Sequence, residues 1–372
     1  MQNFIVSARK YRPATFDSVV GQSHITTTLK NAIRSGQLAQ AFLFCGPRGV
    51  GKTTCARILA KTINCTNPTA DMEACGECES CRSFDNGQSM NIFELDAASN
   101  NSVDDIRALV EQVRIPPQTG RYKVYIIDEV HMLSASAFNA FLKTLEEPPA
   151  YAKFILATTE KHKIIPTILS RCQVFDFKRI ETDDIVKHLE YVAKSEGVAF
   201  EPDAIQIIAR KAEGGLRDAL STFDQLVSFT GGNLTKERCL ENLNLLDSDY
   251  YFSYVDLFRA GDVAGVLTLY QEIIDKGFDG QHFITGLTEH LRNLVVASDP
   301  ATHRLLEVGE ADRRRFGEQS AACGLGLLMR YLDIASDYEY RFRDAGNKRL
   351  FVEVALMKMA ALTKNLQAQA AG

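Results

Sequence analysis

The sequence predicts an α/β fold with a mainly parallel sheet, continued by a region built from helices alone, and three observations carry that expectation. Short β-rich runs alternate with helical ones through about Lys178. A glycine-rich segment, GPRGVGKTTC, lies between an apolar strand-like run and a helical one. From Glu181 onward no comparable strand is evident, and apolar residues recur at helical spacing, as in Ile205, Ile208 and Ala209 or Leu220, Phe223 and Leu226.

Along the chain, the α/β part reads as AFLFC (strand), KTTCARILAKTI (helix), IFELDAA (strand), VDDIRALVEQV (helix), KVYIIDE (strand), SAFNAFLKTLEE (helix) and KFILATT (strand). In the third helix Phe138, Phe141, Leu142 and Leu145 recur at i, i+3, i+4 and i+7, the stripe that a helix turns to a core. The TGGN segment, Thr230 to Asn233, then breaks the helical remainder into a shorter and a longer piece.

At about 100–200 residues per domain, 372 residues suffice for two or three domains with their own cores. With 45% hydrophobic and 24% charged residues the composition is ordinary for a soluble globular protein and does not indicate disorder. The N-terminal MQNFIVSARKYRPATF lacks the apolar stretch and cleavage site of a signal peptide. No apolar run approaches the ~20 residues needed to span a bilayer, so a cytoplasmic location is expected. Lys plus Arg at 42 against Asp plus Glu at 47 gives a net charge of -5, which argues against a protein coated in nucleic acid but allows a local basic surface.

The glycine-rich segment is the first chemical signal. Gly46, Gly51, Lys52 and Thr53 fit G-x-x-x-x-G-K-[ST], with Pro47, Arg48, Gly49 and Val50 between them and Thr54 after. Glycines let successive backbone N–H groups curl around a β-phosphate, and the helix starting near Lys52 presents its positive end. Lys52 would reach the β- and γ-phosphates of ATP, and the Thr53 hydroxyl would bind Mg²⁺. The bland alternative is a glycine-rich turn that matches by chance. A second signal supports the first, because KVYIIDE ends in Asp128 and Glu129, where α/β sheets bind ligands. Asp128 would hold Mg²⁺ and Glu129 would serve as general base for the attacking water. A strand-terminal acidic pair on a solvated turn is the alternative there.

Of the nine cysteines, Cys65, Cys75, Cys78 and Cys81 cluster as C-x9-C-x2-C-x2-C, while Cys45, Cys55, Cys172, Cys239 and Cys323 are scattered. Two overlapping C-x-x-C steps bring three thiolates together on a tight turn, and Cys65 can close a tetrahedron from the end of the preceding helix. Four soft ligands with no open position describe a structural Zn²⁺. Disulfides and an iron–sulfur cluster are the alternatives; a reducing cytosol disfavours the first, and the spacing disfavours the second.

These residues carry a resemblance. ARKYRPATFDSVVGQ, the phosphate loop, the four-cysteine insertion, DEVHMLSASAFNAFLKTLEEPP, ATTE, ILSRC and GGLRDAL stand in the order and spacing of the bacterial DNA polymerase III gamma/tau subunits. The sequence resembles that family, the AAA+ ATPase motor subunits of the clamp loader, over nearly its whole length. The resemblance implies an AAA+ core with a zinc-binding insertion at about 65–81 within residues 1–178, a helical lid over 179–242 and a helical collar over 243–372. It also implies an ATPase acting within the DNA polymerase III holoenzyme, one that opens the sliding clamp and loads it on primer–template DNA. The implied partners are delta and delta-prime subunits, other gamma/tau copies, clamp and DNA.

The same resemblance implies roles for particular residues. Arg171 in ILSRC would be the arginine finger directed at the neighbouring subunit's nucleotide, Thr159 in ATTE the sensor of the attacking water, with Thr158 left open, and Arg217 in GGLRDAL the second sensor. Tyr11, Arg12, Pro13, Val19 and Val20 would pack around adenine and ribose, though the valines could equally be core. Thr167 and Ser170 are candidates for DNA phosphate contacts. His131 and His162 are expected at loop or helix ends with local hydrogen bonds. The longer form in this family continues past the collar into segments that bind the helicase and polymerase, and nothing in this sequence represents them.

Two other readings remain open at this point. One is a non-hydrolysing structural subunit of the same loader, against which the intact Gly51, Lys52, Thr53 and Glu129 weigh. The other is a zinc-dependent nucleic-acid-binding module, against which weigh the net acidity and the acidic neighbours Glu73, Glu77 and Glu79 of the cysteines.

Overall fold

The computed structural model describes residues 5–117, 120–306 and 308–370. Two compact units divide the chain, Met1–Ala199 with Ile208–Asn233, and Phe200–Ile207 with Leu234–Gly372.

In the first unit α1 (Ser7–Lys10) and α2 (Ser23–Ser35) precede β1 (Ala41–Cys45), followed by α3 (Lys52–Ile63), α4 (Glu79–Asp85) and β2 (Ile92–Asp96). Then come α5 (Val103–Val113), β3 (Lys123–Asp128), α6 (Ala135–Glu146), β4 (Ala152–Thr158), α7 (Pro166–Leu169) and β5 (Gln173–Asp176). Helices α8 (Thr182–Glu196) and α10 (Leu216–Thr230) follow, while α9 (Pro202–Lys211) between them is split, its residues up to Ile207 belonging to the second unit.

The five strands form one sheet in the order β2-β3-β4-β1-β5, with every neighbouring pair parallel. Parallel strands need crossovers, and the helices that make them cover both faces. The strands inside the sheet, β3, β4 and β1, are correspondingly apolar over most of their length, and all of β1 and β4 is buried, whereas the edge strands IFELD and QVFD keep exposed polar residues. Alternation then sorts the side chains by face. Phe42 and Phe44 enter a core with Leu59 and Ile63 of α3, whereas Leu43 and Cys45 enter one with Ile106 of α5 and Phe141 of α6. The stripe on α6 is as expected: Phe138, Phe141 and Leu145 are buried and Leu142 packs at the margin. Phe141 meets Phe154 of β4 edge to face at 5.3 Å between ring centroids. Each such buried aromatic contributes about 1.5–3 kcal/mol.

Register gathers the carboxyl ends of the strands at one edge. Cys45 stands beside Thr158 and Asp176, and Asp96 beside Asp128. This is the edge where an open parallel sheet binds ligands.

The second unit contains α11 (Lys236–Asn242), α12 (Ser248–Ala260), α13 (Val263–Asp275), α14 (Gly280–Val296), α15 (Glu310–Cys323), α16 (Leu325–Arg341) and α17 (Lys348–Ala370). Three of these begin on aspartate caps: Asp247, Asp262 and Asp279 accept backbone N–H bonds from the first turns of α12, α13 and α14. Their apolar faces share one core, which includes Phe252, Tyr254, Phe258, Phe283 and Tyr331. After β5, among the described residues, the only extended pieces are Ala199–Phe200 and Asn233–Leu234. Two residues are too few to show a period-2 pattern, which is why the sequence shows no strand there. Among the described residues no helix is long and apolar enough to cross a membrane.

Candidate functional site

The loop between β1 and α3 can be built upward from Gly46. Its φ is 148°, and a Cβ there would lie 2.5 Å from the Phe177 carbonyl oxygen, so only glycine lets the chain leave β1 beside the end of β5. Lys52 opens α3 and is 6% exposed; its Nζ donates to the carbonyl oxygens of Gly46 at 2.8 Å and Pro47 at 2.7 Å. Burial lowers the pKa of this ammonium, and the nearby Glu129 and Asp128 carboxylates oppose that shift.

Thr53 Oγ1 donates to Asp128 Oδ2 at 2.6 Å, joining the first turn of α3 to the end of β3. Glu129 follows in the left-handed region with φ 47°, its N–H donating to Asp128 Oδ1 at 2.9 Å. That turn carries the Glu129 carboxylate to Thr159, whose N–H and hydroxyl both donate to Glu129 Oε2 at 3.2 and 3.0 Å. Thr158 points elsewhere. Its hydroxyl lies 3.0 Å from His131 Nδ1 and accepts the Glu160 N–H at 3.0 Å.

A cavity of about 540 Å³ opens over the loop, lined by Arg48, Gly49, Val50, Gly51, Lys52, Thr53 and Thr54, with Asp128 and Glu129 at one end. Tyr11, Arg12, Pro13, Val19 and Val20 form its second wall, and Leu216, Arg217 and Leu220 of α10 form its third. The approach of α10 is close, since a Cβ on Gly49 would lie 3.3 Å from Gly215 Cα and 3.4 Å from Arg217 Cβ. Gly46, Pro47 and Thr159 line a second opening on the other side of the loop, together with His162.

The segment before the second wall is tied to the helices that follow the sheet. Ser7 N–H donates to Asp224 of α10 at 2.7 Å, and the Lys10 ammonium pairs with Glu196 of α8 at 2.6 Å. The Tyr11 hydroxyl donates to the same Glu196 carboxylate. Desolvation of the guanidinium, with the Arg57 charge nearby, lowers the pKa of Arg12.

Arg171 does not line this cavity. It donates to the Thr167 carbonyl at 2.7 Å and pairs with Glu146 of α6 at 2.9 Å, among the exposed side chains of Thr167 and Ser170. Two residues at the site escaped the sequence reading. Asp96 and Ala98 line the cavity from the end of β2, and the signal was there: IFELD ends in an acid, as KVYIID does. His131 lies with its side chain 6% exposed, its Nε2 3.0 Å from Glu160 Oε2 and its Nδ1 3.4 Å from Glu129 Oε2.

The four clustered cysteines converge. Their Sγ atoms all lie within 4.8 Å of one another, with Cys65 to Cys75 at 3.5 Å and Cys65 to Cys78 at 4.0 Å. A tetrahedral zinc with Zn–S bonds of about 2.3 Å places its sulfurs roughly 3.8 Å apart, so this set fits that ion. The sulfurs are free thiols, far beyond the ~2.05 Å of a disulfide. Their environment differs from one sulfur to the next. The N–H groups of Cys75 and Cys78 donate to Cys65 Sγ and Cys75 Sγ at 3.3 and 3.4 Å. For Cys78, burial raises the thiol pKa, but donors from Thr66 and Cys81 overcome it and bring it down to about 6. Cys65 and Cys81 are pushed up, first by burial. Outside the cluster, burial raises Cys45 to about 11 and Cys55 to about 12.

Comparison with known proteins finds three family matches along the chain. The family described as "DNA polymerase III, delta subunit" matches residues 21–181, and "DNA polymerase III clamp loader subunit, ATPase lid domain" matches 184–232. "DNA polymerase III subunits gamma and tau domain III" matches 234–371. The parallel sheet, the lid and the helical C-terminal domain together are those of an AAA+ protein. DNA polymerase III subunit tau of Bacillus subtilis (strain 168) is 42% identical over 352 residues, covering 94% of this chain and 62% of that protein. The tau subunit of Escherichia coli (strain K12) is 43% identical over 295 residues, 79% of this chain and 46% of that one. The chain thus spans about half to three-fifths of these longer relatives. DNA polymerase III subunit gamma of Buchnera aphidicola subsp. Baizongia pistaciae is 33% identical over 363 residues, 96% of this chain and 97% of that protein. Matched almost end to end by one such subunit and over residues 234–371 by the domain of gamma and tau, the chain belongs to the DNA polymerase III gamma/tau subunit family.

Proposed function

We propose that the chain is the ATP-hydrolysing motor subunit of a bacterial clamp loader, working in the cytoplasm with delta and delta-prime subunits, further gamma/tau copies and the DNA polymerase III holoenzyme. One observation carries the reading: the phosphate loop, the Thr53–Asp128 pair, Glu129 and Arg217 converge on a single cavity of about 540 Å³. In this reading residues 1–178 form the core, 179–242 the lid and 243–372 the collar.

Each role follows from placement. The N–H groups of residues 46–54 cradle the phosphates of ATP, and Lys52 exchanges its carbonyl partners for phosphate oxygens. Thr53 and Asp128 hold Mg²⁺, which neutralises charge on the β- and γ-oxygens when bound. Glu129 takes the proton of the attacking water, and Thr159, bonded to that carboxylate, orients both. Tyr11, Arg12, Pro13, Val19 and Val20 enclose adenine and ribose, and Arg217 links the γ-phosphate to α10. Arg171, outside its own cavity, acts on the nucleotide of the next subunit. The ATP-bound assembly favours an open clamp on primer–template DNA, and hydrolysis removes the differential contacts that hold that state. Thr167 and Ser170 meet DNA phosphates. Cys65, Cys75, Cys78 and Cys81 hold a structural Zn²⁺, which closes the insertion and takes no part in the chemistry.

ATP hydrolysis by the chain reconstituted with its delta-type partners tests this function. Strong stimulation by clamp and primed DNA together is expected; equal turnover with and without them counts against a loader motor. Elemental analysis is expected to return about one zinc per chain, with chelation lowering the melting temperature. A metal-free sample with unchanged melting would exclude the structural role.

A further inference from the structure

Glu73 is a carboxylate 7% exposed that none of the chemistry above uses. It stands two residues before Cys75, inside the four-cysteine insertion. The turn that presents it is closed at both ends. Its N–H donates to Thr69 Oγ1 at 3.1 Å, its carbonyl accepts the Thr69 N–H at 2.9 Å, and Met72 between them is left-handed with φ 58°. With Cys65 and Cys75 fixed in one cluster, this turn has little freedom to move.

The carboxylate points out of the insertion into the backbone of another segment. Its oxygens accept the N–H of Phe16 at 2.9 Å and of Asp17 at 3.1 Å, and Lys30 of α2 pairs with it at 2.9 Å. These two N–H groups open the short 3-10 helix Phe16–Ser18, where no carbonyl within the helix can reach them. Val19 follows at once, its N–H donating to Phe16 O at 3.2 Å, and with Val20 it forms part of the cavity wall. The Val19 side chain reaches to 3.9 Å of where a Cβ on Gly51 of the phosphate loop would lie. A continuous line of contacts thus runs from the cysteines through Glu73 and Phe16–Asp17 to the wall opposite the phosphate loop.

We propose that Glu73 is a positioning residue for nucleotide, by which the four-cysteine insertion holds the Val19–Val20 wall in place and sets affinity for the base and ribose. This rests on the reading of the cavity as a nucleotide site and deepens it. An insertion remote from the phosphates thereby acts on binding through one side chain. Because the phosphate loop keeps its own donors, the effect falls on the nucleoside part of the ligand.

The test is a fluorescence titration of the full 372-residue chain with mant-ADP, followed by displacement with inorganic pyrophosphate, for wild type, Glu73→Ala and Glu73→Gln. Glu73→Ala is expected to raise the mant-ADP Kd about tenfold, and Glu73→Gln, which keeps an acceptor oxygen, about threefold, with pyrophosphate affinity changed less than about twofold. Stripping the metal with a chelator should weaken mant-ADP binding by wild type to a similar degree and add little to Glu73→Ala, since both act on one contact. Wild-type binding with an unchanged Kd in Glu73→Ala overturns the proposal, as does equal weakening of both probes, which marks general loss of fold. Failure of wild type to bind mant-ADP overturns the nucleotide reading, and the proposal with it.

Discussion

Lys52→Ala should abolish ATP turnover, lowering it by about 10²–10³-fold or more, and should weaken nucleotide binding in the same step. The argument is electrostatic. The ammonium is 6% exposed and already carries the penalty of that burial, so it meets a phosphate without first shedding a hydration shell. Its loss leaves the carbonyls of Gly46 and Pro47 without their donor, a cost that relief of a buried charge offsets. The ligand-free fold should therefore stay within about 1 kcal/mol of wild type, a shift of roughly 2–4 °C in melting temperature. Calorimetry and a turnover assay on the same sample check both halves. Retained turnover stimulated by DNA would sink the phosphate-loop assignment.

Arg171→Ala should leave ATP binding by the isolated chain intact and reduce turnover in the assembled ring by about 10³-fold. In the single chain the guanidinium is committed to Glu146 and to the Thr167 carbonyl, away from its own cavity. That ion pair joins side chains 34% and 50% exposed, and exposed pairs contribute only about 0–1 kcal/mol. The fold should barely register the change. A guanidinium delivered to a neighbour's γ-phosphate, by contrast, stabilises charge in the transition state. Turnover measured with and without the partner subunits separates the two effects; an equal loss in the isolated chain would place the arginine in cis.

Much of the site is legible because its signals are short. The phosphate loop needs a strand, six residues and a helix, all contiguous, and KVYIIDE carries its two acids at its own end. The cysteines likewise sit within 17 residues of one another. Asp96 was legible by the same rule that found Asp128, but no motif drew attention to it. For Arg171, Thr159 and Arg217 the residues alone gave no role, and the resemblance to a family supplied one.

The sequence by itself determined four of the five strands of the parallel sheet with helices α3, α5 and α6, the glycine-lined loop, the strand-end acids and the cluster of thiols. Backbone periodicity and short loops fix these within a few residues. Only the tertiary structure decided which of two adjacent threonines faces Glu129, because the choice depends on β4 ending beside the left-handed residue that follows β3. Only it placed Glu73 on the Phe16 N–H across 57 positions, and Ser7 on Asp224 across 217. Pairs so far apart leave no periodic trace, since packing of whole elements brings them together and many partners would satisfy the same local pattern.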